Sequence, residues 1–167
     1  MATAPSHCKS FRPHLPRLQS SSGNQLMPMS PAASEAASLA SDHGVAMTGS
    51  DFPSVWILSL ASLAELGAHM GMDLSVHRWR GNLWLDGAAP WAEWGWIGQR
   101  FRLGDAVLEV VERITRCVAT AVNPETGVVQ GDTLLALESG YGHQDFGVFA
   151  RVIEGGMIAS GQEWRTA

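Results

Sequence analysis

Cysteine is nearly missing from this chain of 167 residues, which has only Cys8 and Cys117. Two thiols so far apart imply no disulfide framework and cannot form a metal cluster alone, which suits a reducing, cytoplasmic setting. Long hydrophobic runs are missing too. Val55–Leu58 is strand-sized, far short of the roughly 18 apolar residues of a membrane helix, so no membrane segment is expected. There is no excess of positive charge either. A formal net charge of −5 excludes a broad electrostatic grip on nucleic acid, although a local basic cluster can still exist. No Gly-rich phosphate loop, G-x-S-x-G elbow, C-x-x-C or H-E-x-x-H occurs, and no internal repeat is visible.

What is present is unevenly placed. Residues 1–49 are rich in Ser, Ala and Pro and hold no Trp or Tyr. Such a stretch has too little apolar surface to offset its ordering entropy, so a disordered tail is expected, with a weak helical patch over 32–41. Its first acid is Glu35, which superficially suggests a transit peptide, but Pro13, Pro16, Pro28 and Pro31 argue against the amphipathic helix such peptides form. All seven tryptophans lie between Trp56 and Trp164, so residues 50–167 read as one compact domain.

Within that domain Val55–Leu58 reads as a buried strand. Leu60, Leu63, Leu66 and Met70 follow at helical spacing, with Ser59 or Ser62 as cap and Gly71 as terminator. Asn82–Asp86 suits a strand. Gln99–Leu103 and Ala106–Glu112 form a hairpin around Gly104-Asp105. Ile114–Val122 reads as extended chain leading to a turn at Asn123–Gly127. Asp132 caps a helix over 133–139, and strands are expected at 147–154 and 157–160. Short strands punctuated by Gly, with two or three short helices, predict a mainly β (α+β) fold, a small β-barrel.

Chemistry concentrates on one thiol. Cys117 follows Arg113, Thr115 and Arg116, and all eight basic residues after Ser50 are arginines. Neighbouring positive charge favours the thiolate, which is both nucleophile and soft metal ligand. Arg113 and Cys117 share a face of an extended strand, while Arg116 points away. The bland alternatives are a small buried hydrophobe at Cys117 and an arginine bias set by a GC-rich genome. Arg78, Arg80 and Asn82 alternate along a second extended segment. That row of donors could hold a phosphate, with Gly81 allowing close approach, or could simply guard a strand edge. His69 and His77 fit surface positions, and His143 sits in a Gly-rich loop.

These segments together resemble the MOSC family, named for the C-terminal domain of molybdenum cofactor sulfurase. Arg80-Gly81-Asn82-Leu83 is similar to its R-x-N strand. Arg116-Cys117, continuing through Thr120 to Asn123-Pro124-Glu125-Thr126-Gly127, resembles its most specific signature, R-C-x-x-T-x-[VD]-[DN]-P-[ED]-T-G. The resemblance runs from about residue 50 to 164. It implies a molybdenum cofactor (molybdopterin) with Cys117 as catalytic metal ligand, and Arg80, Asn82, Thr115 and Arg116 around the pterin phosphate. Family fusions also bring pyridoxal phosphate binding. Relatives of the amidoxime-reducing kind carry an N-terminal β region that residues 1–49 do not match, so a truncated copy or a misplaced start is expected.

Three functions follow. The resemblance implies first an oxidoreductase that reduces N-hydroxylated compounds with electrons from a redox partner protein. Second is a carrier of persulfide sulfur on Cys117, loaded by a cysteine desulfurase for metal–sulfur or molybdenum cofactor assembly. Third is a truncated, non-catalytic domain that binds a partner along an open edge.

Overall fold

The computed structural model of the chain describes residues 17–20, 36–39 and 50–167. In chain order its strands are β1 (Arg17–Ser20), β2 (Ala36–Leu39), β3 (Val55–Ser59), β4 (Leu83–Asp86), β5 (Arg100–Leu103), β6 (Ala106–Thr115), β7 (Asp145–Glu154), β8 (Gly156–Ala159) and β9 (Trp164–Thr166). Helix α1 (Leu60–Met70) follows β3, and α2 (Thr133–Tyr141) precedes β7. The main sheet runs β1-β4-β3-β7-β6-β5-β9 and curls into half a barrel; β2 and β8 form a separate ribbon. Among the described residues only β3 and β4 pair in parallel, because α1 supplies the crossover that parallel neighbours need.

Strand alternation divides the core. Ile57, Leu83, Leu85, Leu108 and Val148 enter one apolar cluster. Their neighbours Leu58 and Trp84 enter the other, with Trp79, Phe146, Leu63 and Leu66 of α1 and Leu137 of α2. This period of two is how one sheet buries both of its faces. Ser59 caps α1, its hydroxyl accepting from Ser62 N at 3.3 Å, and Gly71 closes the helix at φ 65°. Asp132 caps α2 by accepting from Leu135 N at 2.9 Å. The hairpin turns at Gly104-Asp105 as expected, pairing Leu103 with Ala106.

Four expectations need correction. Residues 36–39, inside the expected helical patch, form β2 and pair with β8; the rest of that patch lies outside the described residues. The segment around Arg78 is not extended: Val76–Trp79 is a 3-10 turn started by Ser75, and Arg80 stands at φ 54°. Extended chain does not continue to Val122 either, because β6 stops at Thr115 and Val118–Ala121 is a second 3-10 turn. Helix α2 runs past Gly140 to Tyr141 and closes on Gly142 at φ 75°.

Candidate functional site

Cys117 lies just beyond β6, with its thiol exposed and unpaired. Two layers of bonding fix its backbone. Cys117 O accepts from Thr120 N at 3.2 Å and from Thr120 Oγ1 at 3.0 Å. Thr120 Oγ1 in turn lies 2.7 Å from Thr133 Oγ1, at the first residue of α2. The thiol is therefore presented by a short turn clamped to a helix.

Arginines lie beneath that turn. Arg116 is only 7% exposed, and its Nε and Nη2 donate to Phe146 O at 2.8 and 2.6 Å. Its Nη1 donates to Trp79 O at 2.9 Å, and its guanidinium lies over the rings of Trp56, Trp79 and Phe146. Burial draws its pKa down to about 9, against the pull of negative charge on Cys117, so the group is positive at neutral pH. Glycine at position 147, with φ 81°, leaves room here: a Cβ would stand 2.7 Å from Ile57 O and 3.5 Å from Arg116 Nη2. Arg78 is buried as well. Its Nη1 donates to Ala121 O at 3.2 Å and Gln130 O at 2.9 Å, and its Nη2 to Gln130 Oε1 at 2.8 Å.

The remaining expected site residues are distributed around this floor. Arg80 is exposed, and its turn is held to the Cys117 end of the sheet through the Arg116–Trp79 bond. Asn82 extends the pairing of β3 with β4: its N donates to Trp56 O at 3.0 Å, and its Oδ1 accepts from Trp56 N at 2.9 Å. Thr115 Oγ1 donates to Asp145 Oδ1 at 2.7 Å. The expected row of Arg78, Arg80 and Asn82 does not form, because the 3-10 turn sends Arg78 inward. Nor does alternation carry Arg113 to Cys117, since the β6–β7 register shifts between Arg113 and Thr115.

Two features near the end of β6 are not marked in the sequence. Arg113 lies 4.2 Å over Trp94 and 3.9 Å from Asp145, and the His143 ring stands edge-on 4.4 Å from Trp94. Asp145 N donates to His143 Nδ1 at 3.1 Å, and burial lowers the pKa of His143 although Asp145 acts to raise it. The other feature is an open groove of about 700 Å³ lined by Val118, Ala121, Val129 and residues of α2. No motif marks it, since its walls come from three separate segments.

The family described as MOSC domain matches residues 45–165. The mitochondrial amidoxime-reducing component 1 of Homo sapiens is 35% identical over 80 residues, covering 48% of this chain and 23% of that protein. The mitochondrial amidoxime reducing component 2 of Bos taurus is 32% identical over 79 residues, covering 47% and 23%. The matched stretch thus spans about a quarter of those relatives. Among solved structures, YiiM from Geobacillus stearothermophilus shares the fold with TM-score 0.50 at 16% identity, covering 68% of this chain and 53% of that one. A hypothetical protein gives TM-score 0.53 at 14% identity, covering 80% and 61%.

Proposed function

This chain belongs to the MOSC domain family, and from that premise we propose that it holds a molybdenum cofactor through Cys117 as part of an oxidoreductase acting on N-hydroxylated compounds. The observation that carries the reading is the exposed thiol seated beside a buried, positive Arg116. A thiolate is a soft ligand suited to a heavy transition metal. Among the described residues no group of three or more His, Cys, Asp or Glu is placed to hold an ion. In this reading the protein's share of the metal's ligands is a single sulfur, which fits a cofactor that brings its own donors.

Each neighbouring residue has a distinct part. Arg80 offers an exposed planar fork for the cofactor's phosphate. Arg116 has its donors on carbonyls, so it acts through its charge close to Cys117 and by fixing the Arg80 turn. Asn82 and Thr115 position that turn and the end of β6 through Trp56 and Asp145. When bound, the cofactor would supply the electron pair that cleaves an N–O bond, drawn from a redox partner protein. The relatives' names support the substrate class, since both are amidoxime-reducing.

The test is metal analysis of protein from cells that make the cofactor. About one molybdenum per chain is expected, with none in Cys117→Ala, as a single thiolate ligand requires. Metal-free protein whose Cys117 instead gains the mass of one sulfur from a cysteine desulfurase would replace this reading with the sulfur-carrier one.

A further inference from the structure

Cys117 stands at the start of the 3-10 turn Val118–Ala121, with extended backbone at φ −115° and ψ 173°, and its side chain makes no capping hydrogen bond. At such a position a side-chain acceptor commonly folds over the free N–H groups of the turn. Here Thr120 closes the turn instead, donating to Cys117 O from its N at 3.2 Å and from its Oγ1 at 3.0 Å. The turn therefore makes no use of the sulfur. A hydroxyl carries one proton. Thr120 Oγ1 spends its proton on Cys117 O, so in its 2.7 Å contact with Thr133 Oγ1 it accepts and Thr133 donates. That length is typical of a well-formed O–H···O bond. The chain from Thr133 through Thr120 to the Cys117 carbonyl thus has one direction, and each bond polarises the next.

Both threonines are buried, Thr120 at 4% and Thr133 at 0% exposure, so water does not stand in for either hydroxyl. Thr133 is the first residue of α2, whose Leu137 is sealed in the core. Arg78 grips the far end of the same turn, donating to Ala121 O at 3.2 Å and to Gln130 O at 2.9 Å. Arg78 holds the end of the turn down, and the threonine pair fixes its beginning, at the residue that bears the sulfur. We infer that Thr133 is a positioning residue for Cys117: by donating to Thr120 it fixes the Cys117 carbonyl, and so the direction in which the sulfur leaves the fold. The inference rests on the reading of Cys117 as metal ligand and adds what aims it, since a ligand's grip depends on the groups that orient it.

The test compares Thr133→Val, which replaces the hydroxyl by a methyl, with Thr133→Ser, which keeps it, in the full chain. Leu137→Val, which loosens the buried face of α2 without touching the hydroxyl chain, is the control for a merely structural role. In cofactor-loaded protein Thr133→Val should lose molybdenum on dilution about tenfold faster than the parent, while Thr133→Ser and Leu137→Val stay close to it. In cofactor-stripped protein the Thr120 amide should exchange its hydrogen faster in Thr133→Val and at the parent's rate in the other two. Should Thr133→Val fail to fold, Thr133→Ala, a better helix former, carries the same expectations. Thr133→Val that keeps molybdenum like the parent would overturn the inference, as would serine that does not rescue. Leu137→Val that speeds the loss equally would reduce the threonine pair to packing and overturn it too. If the parent holds no molybdenum but Thr120 exchange follows the hydroxyl at position 133, the cofactor reading fails and the positioning of Cys117 stands. Bound molybdenum that ignores every change at Thr133 means the reverse.

Discussion

Arg78 and Arg116 are buried and have their donors on backbone carbonyls, whereas the surface just above them exposes Cys117, Val118 and Val129. Arg116 and Cys117 are adjacent in sequence, yet the two layers differ in almost every physical respect. Below, most of the buried guanidinium nitrogens find carbonyl partners, although Arg78 Nε and the neighbouring Trp79 Nε1 find none, and the cost of an unmade bond makes those partners matter. Above, a thiol and several apolar groups face water without any gain for the fold. The contrast teaches that the lower layer is architecture and the upper layer is available for a ligand. Changes below should then cost stability, and changes above should cost binding.

The sharpest break comes from Arg116→Met. It strands Phe146 O and Trp79 O in a buried setting, each worth roughly 1–3 kcal/mol, so a loss of about 3 kcal/mol is expected in urea unfolding followed by tryptophan fluorescence. If Arg116→Met costs almost nothing, the lower layer is not the support claimed for it. Glu93 gives an intermediate effect and a sign. Its carboxyl is buried on Ser62 Oγ at 2.9 Å, and its pKa is raised from 4.5, chiefly by burial and in spite of hydrogen bonds from its own backbone and from Ser62. An acid whose folded pKa is raised gives stability that is full below the unfolded pKa and is lost as pH rises through the folded one. Glu93→Gln mimics the protonated form, so its melting temperature should gain on the parent's as pH rises from about 4.5 to neutrality. A gap that narrows over that range contradicts the assignment.

The smallest stability effect should be at Arg80, and it should be favourable. Arg80 holds φ 54°, a conformation costing a non-glycine residue about 1 kcal/mol. Arg80→Gly is expected to stabilise the fold by about 0.5–1 kcal/mol in the same unfolding assay, while cofactor retention on dilution falls about tenfold with the lost charged contact. Stabilisation without loss of cofactor would remove Arg80 from the site.

Much of this was legible from local signals. The Ser59 cap, the Gly104-Asp105 hairpin, the turn at Asn123–Gly127 and the Asp132 cap are set by neighbours within a few residues, and each formed where the residues indicated. The adjacency of Cys117 to Arg116 also stood in the motif, but the exposure of the thiol did not. Nor did the fate of the arginines. Arg78 alternates with Arg80 and Asn82 as a strand would, yet carbonyls at Thr120, Ala121 and Gln130, more than forty residues away, draw it inward. The same holds for β8, whose partner is Ala36–Leu39 rather than a neighbouring strand. Pairings of that range are set by the assembled sheet, and no local pattern encodes them.

The claim on which the rest depends is that the Cys117 sulfur is the bond between protein and metal. Iodoacetamide labelling, read by peptide mass at Cys117 in cofactor-loaded and cofactor-stripped protein, addresses it directly. The account predicts protection in the loaded protein and full alkylation once the cofactor is removed. Equal alkylation of Cys117 in both, with molybdenum still bound, would contradict it.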